Sequence, residues 1–375
     1  MDRKLGFGCM RLPLTDPKDV KNIDLPQVER MVDTFLERGF TYFDTAYMYH
    51  DYESERAMRK ALVERHDRAG YTLATKLPLT HLKEEGDMER IFCEQLEKTG
   101  AGYFDYYLLH NVNKTTAQTA DRLDAWKFIR EKKQAGLVKH IGFSFHEMPE
   151  MLDDILARHP EIEFVQIQLN YLDWEADNVR SRANYQVCRK YNKPVVVMEP
   201  VKGGTLARLP GEGEKLLHSM HPDWSPAGWA VRFAASLPGV FMVLSGMSSL
   251  DQVLDNTDYM QDAGPLGGGE KEALRKVVDM IHHAIAIDCT SCHYCTEGCP
   301  VSIPIPAYFQ LYNAYKQVGG GWVAPQIGQY EKLSAQEEYG KASACLKCGK
   351  CENICPQHLK IRAYMEQVAK AFEEN

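Results

Sequence analysis

The run Cys289-Thr-Ser-Cys292-His-Tyr-Cys295-Thr-Glu-Gly-Cys299-Pro300 divides this chain into two parts of different character. Three thiols at two-residue gaps, then a fourth after three residues and a proline, have the spacing of an iron-sulfur ligand run. Two other chemistries use grouped cysteines. Structural zinc takes four ligands, commonly in two Cys-x2-Cys pairs, and disulfides belong to small secreted domains. Neither accounts for the three-plus-one-plus-proline pattern, which recurs at Cys345, Cys348, Cys351 and Cys355-Pro356.

In two-cluster ferredoxins the fourth cysteine of each run ligates the other run's cluster. That pairing predicts one 4Fe-4S cluster on Cys289, Cys292, Cys295 and Cys355, and another on Cys345, Cys348, Cys351 and Cys299. The stretch between the runs, 300–344, is longer than a compact bacterial ferredoxin needs. It holds helical periodicity from Ala307 to Val318 and a breaker at Gly319-Gly-Gly321, and it resembles the helical ferredoxin modules of electron-transfer subunits. Leu359 to Glu373 reads as a closing helix that packs Ile361, Tyr364, Met365 and Val368 onto the module.

Upstream, short apolar runs alternate with amphipathic segments, the pattern of a parallel sheet covered by helices. Eight strands are predicted: Leu5 to Met10, Thr41 to Asp44, Thr72 to Lys76, Tyr106 to His110, His140 to Phe143, Phe164 to Leu169, Val195 to Glu199 and Val240 to Ser245. Helices are expected between them, among others at Gln27 to Arg38, Asp121 to Gln134 and Asn178 to Tyr191. Eight such units in this length predict an α/β fold, a (β/α)8 TIM barrel over 1–262. An open doubly wound sheet is the alternative, but the chain lacks a Gly-rich turn after its first strand. Gly264-Pro-Leu-Gly-Gly-Gly269 and a helix from Glu270 to Ile287 read as the connection, 263–285, to a mostly α-helical ferredoxin-type domain over 286–375.

The composition adds exclusions. A net charge of -8 and a pI near 5.9 give no basic footprint, so nucleic acid and anionic membrane surfaces are not expected as partners. No apolar signal core follows Met1 and no run has membrane-spanning length, so a cytoplasmic location is expected. Cys9, Cys93 and Cys188, outside the runs, read as buried thiols.

Chemistry in a barrel of this kind sits at the carboxyl ends of its strands. Asp44 ends the second predicted strand with Tyr49 in the loop beyond it, Lys76 ends the third and His110 the fourth. Singly, such residues anchor loops, pack or meet solvent. Together they compose a proton-transfer device. A phenol becomes a useful acid when a cation favours its anion, the part expected of Lys76, with Asp44 orienting the ammonium. A neutral His110 would hold a carbonyl oxygen against Tyr49 while the phenol donates its proton.

With these residues the barrel resembles an aldo-keto reductase. Asp44-Thr-Ala-Tyr-Met-Tyr49, the strand-ending Lys76 and His110, and the opening Leu5-Gly-Phe-Gly8-Cys9-Met10-Arg-Leu12 carry the likeness, over roughly residues 3 to 285. It implies that Asp44, Tyr49, Lys76 and His110 are the catalytic tetrad and that NADP(H) or NAD(H) is bound. The residues implied for the nucleotide are Gly8, Cys9, Met10 and Asp44, then Ser144 and Gln166 at the nicotinamide carboxamide. Pro200, Val201, Lys202, Gly203, Gly204, Gly246, Ser248, Gln252 and Asn256 follow for the pyrophosphate and adenosine end. The phosphate part has a separate basis, because barrels commonly bind phosphate at the loops after strands seven and eight with a helix N-terminus. Unliganded Gly-rich turns are the alternative there. Three departures stand out: Ser144-Phe145-His146 where the family commonly has Ser-Asn, Gln252 where it has an arginine for a 2′-phosphate, and His50 where many relatives have glycine.

The two parts of the chain handle electrons differently. Clusters pass them singly and nicotinamide takes them as hydride; a flavin (FMN or FAD) would bridge the two modes, although no run specifies one. The expected function is reduction of a small carbonyl substrate, with the clusters trading electrons with a redox protein such as a ferredoxin or flavoprotein. Against it stand clusters with a purely structural or docking role, a nicotinamide-binding sensor with a redox-responsive module, and a ferredoxin- or flavin-fed reductase of a non-carbonyl substrate. Tyr171 and Trp174 read as an apolar wall of the substrate pocket.

Overall fold

The computed structural model describes residues 3–17, 19–177, 179–262, 264–317 and 324–374. Val318, Gly319-Gly-Gly321 and Asn178, each part of a predicted element, lie outside them. The chain forms two compact units. One comprises 1–176, 180–201 and 227–266; the other comprises 177–179, 202–226 and 267–375.

In the first unit eight strands pair in parallel in chain order, and the first closes on the last. They are β1 Leu5–Gly8, β2 Tyr42–Asp44, β3 Thr72–Pro78, β4 Phe104–Val112, β5 Val138–Phe145, β6 Phe164–Gln168, β7 Val195–Met198 and β8 Val240–Gly246. Closure removes both sheet edges and buries the strands on two faces, which is why they are written as runs such as Val195-Val-Val-Met198. Tyr42, Ala74, Leu108, Phe164, Val196, Met242 and Leu244 form an apolar cluster, one residue or more from six different strands. Gly142 on β5 makes room for it, since an added Cβ would stand 2.6 Å from the Phe164 ring.

Helices pack outside. Leu25–Glu37 buries Val28, Met31, Val32 and Phe35, spaced at three and four residues as one face of a helix requires, and Asp24 caps its start by accepting from the Gln27 amide. The helix expected over Asp121 to Gln134 is instead two, Lys114–Arg122 and Ala125–Gln134. Asp124 stands between them at φ 55, and the Trp126 indole reaches back over the break to donate to Asp121 at 2.8 Å. The first of the pair starts at Asn113, whose side chain accepts from the amides of Thr115 and Thr116.

The second unit contains an internal repeat that reaches beyond the cysteines. All four cysteines of one run recur 56 positions later in the other, 289 to 345 through 299 to 355, and so does the backbone. Ser291 and Lys347 have φ 52 and 53, His293 and Gly349 have 65 and 78, and Ser302 and His358 both have 49. The amide bonds match as well: Cys299 to the Thr296 carbonyl and Cys355 to that of Glu352, Ser302 to Cys299 and His358 to Cys355. These left-handed residues turn the chain sharply enough to aim thiols from a short segment at one place. Each run leads into a long helix, Ile305–Gln317 and Ile361–Phe372, and their Tyr308, Phe309, Tyr312, Met365, Val368 and Phe372 share one core with Tyr330.

Candidate functional site

The loop after β2 and the ends of β3 and β4 bring Asp44, Tyr49, Lys76 and His110 together. The Lys76 ammonium, fully buried, donates to the Asp44 carboxylate at 2.6 Å, to the Thr45 carbonyl at 2.8 Å and to the Tyr49 hydroxyl at 3.4 Å. The His110 ring stands edge-on to that of Tyr49, with centroids 5.9 Å apart. Beneath this group lies a second polar layer. Glu55 accepts from Thr75 and Gln95, and Gln95 also donates to the Lys76 carbonyl and accepts from Tyr107, so the end of β3 is held from below.

Burial dominates the electrostatics. It holds the Tyr49 phenol well above its usual range, and Asp44, Cys9 and Glu199 push the same way. The expected acidification by Lys76 does not prevail, because Lys76 gives its shortest bond to Asp44, which offsets its charge. The phenol is therefore protonated at neutral pH. Burial likewise depresses His110 far below its usual value, with Lys76, His146 and His81 adding to the effect, so the imidazole is neutral. Its Nδ1 has no hydrogen-bond partner among the described residues. Burial raises Asp44 despite the ammonium beside it.

His50 proves to be a clamp. Its Nε2 accepts from the Leu12 amide at 3.1 Å, which leaves Nδ1 to donate to the Val20 carbonyl at 2.9 Å. His50, Asp51 and Tyr52 all carry left-handed φ values of 52, 48 and 74, a run that costs backbone energy and fixes the turn after Tyr49.

At the nucleotide positions the picture divides. Ser144 is buried and accepts from the Asn111 amide at 2.8 Å. Gln166 is buried beside it on β6, donating to the Met198 sulfur, while its carbonyl oxygen has no partner among the described residues. An amide N–H donor fits there, so these residues suit a carboxamide. Gly8 allows close approach, since an added Cβ would come 3.2 Å from the Ser245 carbonyl oxygen; the Cys9 thiol is buried and bonded within its own loop, and Met10 is half-buried. Ser249 caps the helix Leu250–Tyr259, and the Gln252 side chain folds back to accept from the Ser248 amide at 2.7 Å. Asn256 donates to the Gln252 carbonyl. Arg11, given no role in the sequence reading, packs its side chain against Gly246 and supplies the carbonyl that Ser248 bonds. Pro200 and Val201 belong to the first unit, at the end of its segment 180–201.

Lys202 and Gly203 fall in the second unit and are engaged there. The fully buried Lys202 ammonium lies 3.0 Å from Asp288 and 3.1 Å from the Gln357 side-chain oxygen. Lys202, Gly203 and Gly204 are left-handed in succession, and a Cβ on Gly203 would stand 2.2 Å from the Thr290 carbonyl oxygen. A lysine before two glycines signals a phosphate loop in sequence; its bonding to Asp288 and Gln357 is legible only in three dimensions.

The cysteines line two cavities. Cys289, Cys292, Cys295 and Cys355 surround one, and Cys299, Cys345, Cys348 and Cys351 the other, each with a fourth thiol from the opposite run. Ile305 and Ile361 stand in the walls of both. Burial and the neighbouring sulfurs of Cys292, Cys289 and Cys355 push the Cys295 thiol up, and Cys351 is pushed up to about 11. A cationic centre among the sulfurs would reverse that penalty. The Ser291 amide donates to the Cys289 sulfur and the Ile303 amide to Cys299, both at 3.4 Å. Among the described residues no helix is long and apolar enough to cross a membrane.

The aldo/keto reductase family model matches residues 4–266. The chain belongs to the aldo/keto reductase family. As a member of an oxidoreductase family it also carries a 4Fe-4S dicluster domain, whose model matches residues 288–359. This reductase is 28% identical over 209 residues to "Probable aldo-keto reductase 1" of Glycine max, which takes in 54% of this chain and 56% of the relative. An aldo-keto reductase of Mycolicibacterium vanbaalenii is 26% identical over 237 residues, 62% of this chain and 77% of that protein. The chain thus matches about half to three quarters of these relatives' length. Among solved structures, the holo form of aldo-keto reductase AKR11C1 from Bacillus halodurans is similar at 26% identity and a TM-score of 0.58, covering 73% of this chain and 91% of its own. An aldo-keto reductase from Klebsiella pneumoniae in complex with NADPH shares the fold at 18% identity and a TM-score of 0.58, with 73% and 90% covered.

Proposed function

We propose that this aldo/keto reductase reduces a carbonyl compound with Tyr49 as proton donor, and that its two cysteine-walled cavities hold two 4Fe-4S clusters that exchange electrons with a redox protein. The observation that carries the first part is the buried chain Asp44, Lys76, Tyr49, in which the phenol is protonated and its hydroxyl receives a bond from an ammonium. Asp44 fixes Lys76, and Lys76 fixes the hydroxyl and meets the negative charge that grows there as the proton leaves. Neutral His110, unable to donate a charge, positions the carbonyl oxygen by hydrogen bond. Gln166 and Ser144 suit the carboxamide of a nicotinamide nucleotide, which when bound supplies hydride. With Gln252 folded onto Ser248, Arg11 is a cation near that helix start, its side chain packed against Gly246. NADP(H) therefore depends on Arg11 in this reading, and NAD(H) does not.

The second part is supported by the mixed origin of the thiols around each cavity. Seven of the eight thiols are buried or half-buried, and iron-sulfur clusters need the spacing present here. Carbonyl reduction is tested by following NADPH and NADH oxidation with a panel of aldehydes and ketones. Tyr49→Phe is expected to lower the rate by roughly 10² to 10⁴ while melting like the parent. A variant as fast as the parent would remove Tyr49 from the reaction. Iron and sulfide content of anaerobically purified protein, with extraction for flavin, tests the clusters.

A further inference from the structure

Because the second unit repeats its backbone around the two cysteine runs at a fixed spacing, positions in one run have counterparts in the other, and the two cavities differ in what covers them. Thr290 and Pro306 line the first cavity and are buried. Gly203 lies against the Thr290 carbonyl, and Lys202 is bonded to Gln357 in the same wall. Protein covers most of this wall, leaving His293 exposed at it. The counterparts of Thr290 and Pro306 are Leu346 and Arg362; both line the second cavity and both are exposed, Leu346 at 63%. Cys348 is exposed where its counterpart Cys292 is half-buried. Ile354, 43% exposed, stands one turn from Lys350 on the helix Lys350–Ile354 and shares its face.

Charge separates the halves too. Residues 285–310 carry Asp288 and Glu297 and neither lysine nor arginine, whereas 341–366 carry Lys341, Lys347, Lys350, Lys360 and Arg362 against Glu352 and Glu366. Lys347 pairs with Glu366 and Arg362 with Glu352, but exposed pairs of this kind are weak and a partner's charges can compete for them. A cationic rim around exposed aliphatic side chains, in a chain of net charge -8, is a local reversal of sign.

We infer that the face formed by Leu346, Lys347, Cys348, Lys350 and Ile354 is the docking surface for a small, acidic, one-electron carrier protein of the ferredoxin type. An apolar centre within a charged rim is the anatomy of a transient redox interface, where complementary charge raises the association rate and the contact stays small. In each encounter the reduced carrier loses one electron and the cluster on Cys299, Cys345, Cys348 and Cys351 gains it; no bond or proton moves. The inference rests on the cluster reading above.

The test uses anaerobic, cluster-loaded protein and a reduced, strongly acidic bacterial ferredoxin as probe, followed by stopped flow at low ionic strength. Lys347→Glu/Lys350→Glu/Lys360→Glu is expected to slow cluster reduction by about tenfold or more and to flatten its fall with salt. Reduction by dithionite and the electron paramagnetic resonance spectrum should stay those of the parent. Leu346→Ser should slow reduction without changing the salt dependence. Lys127→Glu, at an exposed lysine of the helix Ala125–Gln134, should change nothing. Equal rates and salt slopes in parent and triple variant, or an equal loss with Lys127→Glu, would overturn the assignment. So would a face that instead binds anionic vesicles or a second copy of this chain. A sample without iron and sulfide would sink the cluster reading; loaded clusters indifferent to the triple variant would sink the docking surface alone.

Discussion

The Lys76 ammonium and the Asp44 carboxylate meet at 2.6 Å with neither side chain open to water. An ion pair so placed is costly to form and costlier to break, because removing one partner strands the other. Lys76→Met is expected to lose about 3–5 kcal/mol of stability near pH 8. Burial already raises Asp44, and loss of the cation raises it further. A carboxyl raised in the folded state stabilises below its unfolded value and loses that contribution as pH rises through the folded one. The deficit of the variant relative to the parent should therefore shrink toward pH 5, as urea melts at both pH values would reveal; a deficit independent of pH would contradict the buried carboxylate.

His110 gives the opposite sign. Its imidazole is depressed by burial first and by Lys76, His146 and His81 after that, so the folded protein resists its protonation and the unfolded chain accepts it below about 6.5. Stability is lost as pH falls below that value. His110→Gln should flatten the acid side of the stability profile, by at most ~1.4 kcal/mol per pH unit, the limit for one proton. Thermal melts from pH 7 to pH 5 would measure it.

Exchange of ligands between the runs makes a prediction about single cysteines. Cys355→Ser should abolish the same cluster signal as Cys289→Ser, and Cys299→Ser the same signal as Cys345→Ser, because those pairs share a cavity. Mössbauer or electron paramagnetic resonance spectra of the four variants would check it. Loss that followed the run rather than the cavity would refute the exchange.

Gly203→Ala places a Cβ 2.2 Å from the Thr290 carbonyl oxygen at a residue of φ 63, so it should destabilise the second unit by roughly 1–3 kcal/mol. Lys202→Met removes a buried cation bonded to Asp288 and Gln357, the neighbours of Cys289 and Cys355. A lower midpoint potential is expected for the cluster on those cysteines and no change for the other, read by redox titration.

Much of this was legible in the sequence, because the signals were periodic or local. Buried parallel strands are written as apolar runs, and all eight were placed close to their observed bounds. The precedent of two-cluster ferredoxins grouped the cysteines in the same two sets that line the two cavities. Asp44, Lys76 and His110 stand toward strand ends, with Tyr49 in the loop after Asp44, where a barrel gathers its chemistry. What escaped was set by contact at a distance. The break at Asp124 depends on Trp126 reaching Asp121. The clamp at His50 depends on Leu12 and Val20, and the raised phenol on burial first and then on Asp44, Cys9 and Glu199. The repeat in the second unit was legible at its cysteines and prolines, but its backbone part was hidden because there it preserves dihedral angles and not side chains: His293 answers to Gly349, and Ser302 to His358.

The interleaving of the runs has a consequence for biogenesis. If each iron centre borrows its last thiolate from the opposite half, a ribosome must release Cys355 before the first can be completed and Cys351 before the second. Metal delivery to either site then has to follow synthesis through Cys351, by which time the reductase barrel has already emerged.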